Sequence, residues 1–248
     1  MNSPKVVCII PARYGSSRLP GKPLEIIAGK SVIQRTCERV AKVIPDYIVA
    51  TDDERIVKEV ESFGGKAAMT RENHQSGSDR VAEVAKSIEA DIILNVQGDE
   101  PFIPPEQIEE ALQPLLDDSN ILMSTVAREI TDKDERNKLG VVKVVCDING
   151  DALYFSRSVI PFPRHEKHAN WFEHVGLYAY RKDFLLKYIS WPPCELELAE
   201  SLEQLRVLYH GYKIRVVETQ TVYGAPCIDT PEDLKQARKF VKKNPEWK

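Results

Sequence analysis

Short apolar runs alternate with segments of helical periodicity through the first half of the chain. Residues 6–10, 47–51 and 91–96 are predominantly apolar runs, as strands buried on both faces require. Apolar residues recur at helical spacing between and after these runs, at Ile33, Cys37, Val40 and Ile44, at Ile56, Val57, Val60 and Phe63, and at Val81, Val84, Ala85 and Ile88. This alternation predicts a mainly parallel sheet covered by helices.

The second half of the chain has a more mixed pattern. Strands are predicted over residues 123–126, 141–145, 175–180 and 214–218. A single helix is predicted from the apolar stripe Leu198, Leu202, Leu205 and Leu208. Near the end, Thr230 is a predicted N-cap, with Pro231 at the first helical position and Asp233 completing a capping box. The helix that follows carries Leu234, Ala237 and Val241 on one face.

Composition narrows the class of protein. The chain has 248 residues, 42% of them hydrophobic, which suits one large α/β domain or a domain with a smaller lobe. Its formal charge of −4 argues against a dedicated nucleic-acid surface, which would be basic. The apolar runs are too short to span a bilayer, and the start lacks the features of a signal peptide. We therefore expect a cytoplasmic protein with neither nucleic acid nor membrane insertion.

The cysteines give no sign of a paired site. They are Cys8, Cys37, Cys146, Cys194 and Cys227, and their spacing contains no C-x-x-C motif. We expect reduced, mostly buried thiols, and nothing in the local sequence marks one of them as activated.

A cationic, glycine-containing loop follows the first predicted strand. Residues 11–24 contain Arg13, Arg18 and Lys22 and no acidic residue. In an open α/β sheet, ligands bind beyond the carboxyl ends of the strands, where this loop would lie. Main-chain N–H groups and cationic side chains there can neutralise a phosphate. The alternative is a surface turn with solvated charges. The loop matches neither the P-loop nor the G-x-G-x-x-G pattern.

Carboxylates follow the predicted strand at 91–96. Asp99 and Glu100 should emerge at the carboxyl edge of the sheet, and Mg²⁺ prefers oxygen ligands of this kind. The alternative is a helix cap or a solvated turn. Residues 74–80 form a polar turn before a predicted helix, which could read a pyrimidine by hydrogen bonds or could only cap that helix.

Arg157, His174 and Tyr178 could meet a carboxylated sugar. Arginine offers a bidentate fork to a carboxylate, and histidine and tyrosine reach hydroxyl groups. Strand alternation puts His174, Gly176, Tyr178 and Tyr180 on one face. The alternative is that the histidine and tyrosine are satisfied core residues. Exposed helical glutamates such as Glu200 and Glu203 are ordinarily solvated surface.

Five segments together carry a resemblance that covers nearly the whole chain. They are IIPARYGSSRLPGKPL, MTRENHQSGSDRVAEV, NVQGDEPFI, ALYFSRSVIP with HVGLYAYR, and LEQLRVL followed by DTPEDL. In this order they resemble the CMP-Kdo synthetase (3-deoxy-manno-octulosonate cytidylyltransferase) family. The first loop alone would be shared with relatives that act on other sugars.

The resemblance implies a Rossmann-like nucleotide-diphospho-sugar transferase fold. It implies a single domain over 1–248, with a nucleotide-binding part at about 1–120 and 210–248 and a sugar-binding and dimerisation lobe at about 121–209. It also implies Mg²⁺ as cofactor and a homodimer that transfers CMP from CTP to Kdo. The activated Kdo would enter lipopolysaccharide biosynthesis.

Roles for individual residues follow from the same resemblance. Arg13, Lys22 and Asp99 would be catalytic, and Asp99 and Asp229 would bind the metal. The CTP contacts would be Ala12, Arg13, Lys22, Gln75, Ser76, Gly77 and Arg80. The Kdo contacts would be Gln97, Arg157, His174, Tyr178, Glu203 and Gln204.

Other functions compete with this interpretation. A related cytidylyltransferase would use a sialic acid or an amino-substituted Kdo as acceptor. A glycosyltransferase would consume a nucleotide sugar without releasing pyrophosphate. A catalytically silent nucleotide-binding regulator is a third possibility, although such a protein could have lost Arg13, Lys22, Asp99 or Asp229.

Overall fold

The computed structural model describes residues 3–16, 18–74, 76–221, 227–244 and 247. Its strands are β1 (Val6–Ala12), β2 (Ile26–Ile27), β3 (Lys30–Ser31), β4 (Tyr47–Thr51), β5 (Ala67–Met69), β6 (Ile92–Asn95), β7 (Met123–Glu129), β8 (Lys143–Cys146), β9 (Ala152–Ser156), β10 (Phe172–Arg181) and β11 (Arg215–Glu218). Its α-helices are α1 (Val32–Ala41), α2 (Glu54–Ser62), α3 (Gly77–Lys86), α4 (Pro105–Asp117), α5 (Lys133–Arg136), α6 (Lys182–Ile189), α7 (Glu195–Glu200), α8 (Leu205–Tyr209) and α9 (Pro231–Lys243). The described residues divide into two compact units, one of residues up to 108 and from 227, the other of residues 109–221.

Parallel strands form the sheet of the first unit, in the order β6–β1–β4–β5. Cys8, Ile9 and Ile10 of β1 have no exposed surface, because β1 is paired on both sides and covered on both faces. Cys37 of α1 and Val60 of α2 are equally buried on the helices that flank this sheet. The predicted mainly parallel sheet with flanking helices is therefore confirmed.

The C-terminal helix α9 begins as its sequence predicts. The Thr230 hydroxyl accepts a hydrogen bond from the Asp233 N–H, and the Asp233 carboxylate accepts one from the Thr230 N–H. This capping box satisfies N–H groups that a helix start otherwise leaves without partners. The predicted apolar face of α9 is buried, with Leu234, Ala237 and Val241 at most 4% exposed.

An apolar cluster joins α9 to the turns that carry charged residues of the first unit. Its members are Leu19, Ile27, Val32, Phe102, Ile228, Leu234, Ala237 and Val241, with Phe240 and Trp247 packed against them. Leu19 is next to Arg18 in the sequence, and Ile228 is next to Asp229. Because these apolar neighbours are held in one core, the backbone that carries Arg18 and Asp229 is held beside it.

The second unit is built around the long strand β10. It pairs antiparallel with β7 and with β8, β8 pairs antiparallel with β9, and β11 pairs parallel with β7. The pairing of β10 with β7 shifts between Val175 and Tyr178 at a bulge. The bulge adds two residues to β10, Gly176 and Leu177. Because the number of added residues is even, side chains before and after the bulge keep the same alternation between the two faces of the sheet.

The prediction of a single helix from the leucine stripe is wrong. Two shorter helices, α7 and α8, take its place. Ser201 lies between them with φ 53°, a left-handed conformation that ends a helix. As a result Leu198 is 67% exposed, whereas Leu202 and Leu205 are buried. The buried ion pair of Arg206 with Glu197 links the two helices, with Nε 2.6 Å from Oε2.

Among the residues that the structure describes, no helix is both long enough and apolar enough to cross a membrane.

Candidate active site

A cavity of about 330 Å³ opens in the first unit, where β1 and β6 end. Nine of the residues predicted from the sequence line it: Ala12, Arg13, Lys22, Ser76, Gly77, Arg80, Gln97, Asp99 and Asp229. Arg18, the third cation of the loop predicted to neutralise a phosphate, also lines it. The other lining residues were not singled out as ligand contacts and are Pro11, Ser16, Pro23, His74 and Gly98. Gln75, predicted to contact CTP, falls outside the described residues.

Lys22 lies between the two carboxylates that were predicted to bind metal. Its Nζ is 2.5 Å from Asp99 Oδ2 and 3.1 Å from Asp229 Oδ1. Arg18 adds a second cation to the group, with Nη2 3.2 Å from Asp229 Oδ2. Carboxylates far apart in the chain therefore converge on one point of the cavity, and that point already accommodates a positive charge.

Local backbone geometry places Lys22. It begins the 3₁₀ turn Lys22–Leu24, and Gly21 before it adopts φ 72°. A Cβ on Gly21 would also approach the Tyr14 ring to 3.1 Å, so glycine is favoured here for two reasons. Burial lowers the pKa of Lys22, but the nearby Asp99 and Asp229 outweigh burial, and the net pKa is raised. The ammonium group is therefore charged at neutral pH.

A close approach of two strand ends places Asp99. Gly98 lies against the end of β1, and a Cβ there would be 2.8 Å from the Pro11 carbonyl oxygen. The Gly98 N–H donates to that same oxygen at 3.2 Å. The Ile228 N–H approaches the Asp99 carbonyl oxygen at 3.4 Å, which brings the segment before α9 beside Asp99.

Asp99 has two further neighbours with metal-binding atoms. One ligand atom each from Asp99, Glu100 and Cys227 lie within 4.8 Å of one another. Burial raises the pKa of the Cys227 thiol well above its usual range, and the carboxylates of Glu100, Asp99 and Asp229 raise it further. No local pattern predicts this neighbourhood, because Cys227 lies far from Asp99 in the chain.

The turn before α3 lines another part of the cavity. The Ser76 hydroxyl accepts from the Asp79 N–H at 3.1 Å, and the Asp79 carboxylate accepts from the Ser76 N–H at 3.0 Å. Ser76 therefore caps α3. Capping does not exclude a second role of the same turn in ligand binding. Arg80 pairs with Asp52, with Nη2 2.6 Å from Oδ2, and its side chain is 5% exposed.

His74 lines the same cavity and contacts α3 through Glu83 Oε2. The Glu83 carboxylate also accepts from the Arg71 N–H at 3.3 Å. Burial raises the pKa of Glu83, but hydrogen bonds from His74 and Arg71 outweigh burial, and the net pKa is lowered. Glu83 lies too far along the sequence from His74 for local pattern alone to pair them.

The residues predicted to bind Kdo occupy different environments. Gln97 lines the cavity of the first unit, and its Nε2 lies 3.3 Å from Asn95 Oδ1. Arg157 belongs to the second unit, where its Nε, Nη1 and Nη2 donate to the backbone carbonyls of Glu200, Leu139 and Ser201. Arg157 therefore has a structural function in tying these segments together.

His174 and Tyr178 share one face of β10, as strand alternation predicts, with ring centroids 5.3 Å apart. His174 Nε2 lies 3.0 Å from Thr125 Oγ1, and desolvation lowers the pKa of His174 to about 3. Burial raises the pKa of Tyr178 well above its ordinary value. Both side chains are therefore neutral at physiological pH.

Glu200, Glu203 and Gln204 lie at the break between α7 and α8. Glu200 is not the solvated surface residue that its type suggests: its carboxylate accepts from the Ser156 hydroxyl at 2.6 Å and from the Arg157 N–H at 2.9 Å. Tyr188 donates to the Glu203 carbonyl oxygen at 3.1 Å, and Gln204 is 2% exposed. The break at Ser201 gives these side chains positions that a continuous helix would not.

A comparison with protein-family models shows to which family the chain belongs. The family model described as cytidylyltransferase matches residues 7–214. The chain belongs to the cytidylyltransferase family. A relative from Geotalea uraniireducens, named 3-deoxy-manno-octulosonate cytidylyltransferase, is 48% identical over 96% of this chain and all of its own length. A relative of the same name from Escherichia coli is also 48% identical, over 96% of each chain.

Solved structures agree with this cytidylyltransferase assignment. A CMP:2-keto-3-deoxy-manno-octonic acid synthetase complexed with CTP superposes with a TM-score of 0.93 at 47% identity, covering 97% of this chain and 99% of that one. The predicted resemblance to CMP-Kdo synthetases is confirmed. A 4-diphosphocytidyl-2C-methyl-D-erythritol synthase from Anaerococcus prevotii, at 19% identity and a TM-score of 0.64, shares the fold. Nucleotidyltransferases of this kind typically use a divalent metal ion.

Proposed function

We propose that this cytidylyltransferase transfers CMP from CTP to Kdo and releases pyrophosphate. Its relatives at 48% identity carry the name of that activity. The observation that carries the proposal is the convergence of Asp99 and Asp229 on Lys22, in a cavity that Arg13 also lines. This arrangement combines carboxylate ligands for a cation with cationic groups for a polyphosphate.

Asp99 and Asp229 would hold Mg²⁺. Their oxygen atoms suit a hard cation, and both carboxylates lie within 3.1 Å of the same Lys22 ammonium group, which supports their convergence on one positive charge. When bound, Mg²⁺ would offset the charge of the triphosphate and make the attacking sugar hydroxyl more acidic.

Cationic and backbone groups would bind the nucleotide. Arg13 and Lys22 would neutralise charge that develops on the phosphoryl oxygens. Ala12, Ser76 and Gly77 line the cavity and could offer main-chain groups to CTP. Arg80 would act mainly by holding the Ser76 turn in place, because its guanidinium group is already paired with Asp52.

The anomeric hydroxyl of Kdo would attack the α-phosphorus of CTP, and pyrophosphate would leave in line. No covalent enzyme intermediate is needed, and the protein would act by aligning two anionic substrates. We propose that His174, Tyr178, Glu203 and Gln204 of the second unit select the acceptor. Arg157 would support them indirectly, because its guanidinium group already donates to three backbone carbonyls. Gln97 is proposed separately as an acceptor contact in the first unit. The neutral state of His174 and Tyr178 suits hydrogen bonding to sugar hydroxyls better than charge pairing.

Release of pyrophosphate tests the proposal directly. The purified protein should release pyrophosphate only when CTP, a divalent cation and Kdo are all present. Replacing CTP with UTP is the matched control for the nucleotide, and sialic acid or an amino-substituted Kdo is the control for the acceptor. Activity with another acidic sugar but not with Kdo would overturn the acceptor assignment. Absence of pyrophosphate with every acceptor would overturn nucleotidyl transfer.

We also propose that the protein is a homodimer and that it acts in the cytoplasm. Light scattering coupled to size-exclusion chromatography should give twice the chain mass of 28.1 kDa. A monomeric mass at micromolar concentration would contradict the dimer.

A further inference from the structure

Lys143 of β8 has no exposed surface, although lysine is among the residue types least often buried. Its Nζ donates to the backbone carbonyls of Val141 at 2.5 Å, Arg157 at 2.5 Å and Lys138 at 3.1 Å. An ammonium group has three N–H donors, so each donor has one carbonyl acceptor. Burying a charge is costly unless such bonds compensate it, and an apolar side chain would fill the same space at less cost. The contribution of Lys143 therefore lies in the segments that it connects.

The first of these segments, residues 138–142, lies against β10 beside His174. The His174 N–H donates to the Val142 carbonyl oxygen at 2.8 Å, and Val142 is next to Lys143 in the sequence. In the same region, Glu173 of β10 is paired with Lys143 in the antiparallel register of β10 and β8. The backbone that carries His174 is therefore bonded to the segment that Lys143 holds.

The second segment leads through Arg157 to the break between α7 and α8. Lys143 binds the Arg157 carbonyl, and the Arg157 guanidinium donates to the carbonyls of Glu200 at 2.8 Å and Ser201 at 3.3 Å. The Glu200 carboxylate accepts in turn from the Arg157 N–H at 2.9 Å. A further bond from the Arg157 guanidinium to the Leu139 carbonyl, at 3.1 Å, returns to the first segment. Two cations thus hold three stretches of backbone together.

This network reaches both parts of the proposed acceptor site in the second unit. His174 lies at one end of it, and Glu203 and Gln204 follow closely after Ser201 at the other end. Gln204 is only 2% exposed, so its side chain is packed against neighbours that limit its movement. A shift of the backbone around Lys143 would therefore change the spacing between the groups that are proposed to meet the acceptor.

We propose that Lys143 is a positioning residue for the acceptor, which holds His174 and the turn before Glu203 at the spacing that the sugar requires. Lys143 would act through these residues and would touch neither substrate. The proposal rests on the proposed function, because it takes these residues as the ones that select the acceptor. It gives Lys143 no part in binding CTP, whose proposed contacts belong to the first unit.

Steady-state kinetics of Lys143→Met should separate the two substrates. Methionine fills a similar volume but leaves three carbonyls without their donor. The KM for Kdo should rise at least about tenfold, on the scale of losing one hydrogen bond to the acceptor. The KM for CTP should change by less than about twofold, because uniform binding of the nucleotide is untouched. Equal increases in the two KM values, or no increase in either, would overturn the proposal.

Arg35→Met is the matched control. Arg35 is 5% exposed, and its guanidinium donates to the backbone carbonyls of Ile27, Ala28 and Trp247 in the first unit. This variant also removes a buried cation from a set of carbonyls, so it should lower stability without raising the KM for Kdo. An equal rise in that KM in both variants would overturn the proposal, since general loss of stability would then explain the effect.

Arg157→Met keeps the test decisive if Lys143→Met does not fold. It leaves the Lys143 bonds in place and breaks the next bonds of the same network, so the KM for Kdo should again rise while that for CTP does not. Where both variants fold, their combination should raise the KM for Kdo by less than the product of the single effects, because both act through the same segments. A full product would show independent roles and contradict the network.

Hydrogen–deuterium exchange followed by peptide mass spectrometry tests the connection without any activity. Exchange in the variants should become faster in residues 138–142 and 200–204, whereas residues 77–86 of α3 should exchange as in the unaltered protein. Unchanged exchange at 200–204 would overturn the proposal.

The positioning role and the proposed reaction fail separately. Faster exchange in a protein that releases no pyrophosphate would support the connection made by Lys143 and overturn only the reaction. Pyrophosphate release by the unaltered protein, with no change in the KM for Kdo in the variants, would overturn the role of Lys143 and leave the reaction in place.

Discussion

The side chains of Lys22 and Asp229 meet although 207 positions separate them in the chain, with Nζ 3.1 Å from Oδ1. Asp99 Oδ2 lies on the same ammonium group at 2.5 Å. Because the Lys22 side chain is only 11% exposed, its charge depends on these two carboxylates for compensation. The same contact keeps the two carboxylates together against their mutual repulsion. A lysine predicted to bind phosphate therefore also organises the predicted metal ligands.

Replacing Lys22 with methionine should destabilise the protein and make it more responsive to magnesium. Breaking a buried ion pair costs several kcal/mol, but Asp99 and Asp229 are 29% and 41% exposed, so screening reduces the expected loss to roughly 1–2 kcal/mol. Mg²⁺ should restore stability by replacing the missing charge. Thermal melting with and without Mg²⁺ measures this directly. Lys30→Met, which breaks the more exposed pair with Glu38, should show neither effect.

Replacing Asp99 with asparagine should reduce turnover by at least ~10²-fold, the scale of losing one strong electrostatic contact in an active site. The amide keeps the shape of the carboxylate but loses its negative charge. Steady-state pyrophosphate release at saturating CTP and Kdo is the measurement. Asp46→Asn removes a carboxylate from an exposed pair with Lys66 and should have no effect. Near-normal turnover of Asp99→Asn would exclude a role in metal binding.

Local sequence patterns predicted the helices and strands whose formation depends on residues close together in the chain. The run at residues 6–10 became β1, and the Thr230 capping box starts α9, because burial on two faces and satisfaction of terminal N–H groups depend on near neighbours. The sequence also predicted that Asp99 follows a buried strand. Its meeting with Asp229 could be inferred only from the family resemblance, since no local pattern connects residues so distant in the chain.

Other features escaped prediction for identifiable reasons. The left-handed residue that separates α7 from α8 is Ser201, a residue type that seldom adopts φ 53°, so the leucine spacing predicted one helix. Cys227 gave no sign of ligands because its neighbours Asp99 and Glu100 are remote in the sequence. Arg157 was predicted only as a sugar contact, and its bonds to three carbonyls depend on the positions of segments elsewhere in the second unit.

Replacing Ile228 with alanine should weaken metal binding by more than its cost in stability explains. Ile228 is fully buried in the apolar cluster beside Asp229, so its truncation should cost about 2–5 kcal/mol and loosen Asp229. Magnesium affinity, measured by thermal shift, should fall severalfold. Ile56→Ala removes an equally buried side chain on α2 and should lower stability without changing that affinity. Equal magnesium affinity in the two variants would mean that the cluster does not position Asp229.

Replacing His174 with glutamine should remove a pH dependence of stability. Desolvation lowers the pKa of His174 from 6.5 to about 3 in the folded state. Between those values the unfolded chain binds a proton that the folded protein does not, so the stability present above pH 6.5 is lost as the pH falls towards 3. This one group contributes a slope of up to about 1.4 kcal/mol per pH unit.

Urea unfolding across that pH range measures the slope, and the difference between unaltered and variant protein cancels the contribution of the carboxylates. His174→Gln keeps a polar group beside Thr125 but cannot take up the proton, so the slope should flatten. His168→Gln is the matched control, because His168 is exposed and its replacement should leave the slope as it was. Parallel curves for the unaltered protein and His174→Gln would show that His174 is protonated as readily in the folded state as in the unfolded one, which its packing against Phe155 and Tyr178 opposes.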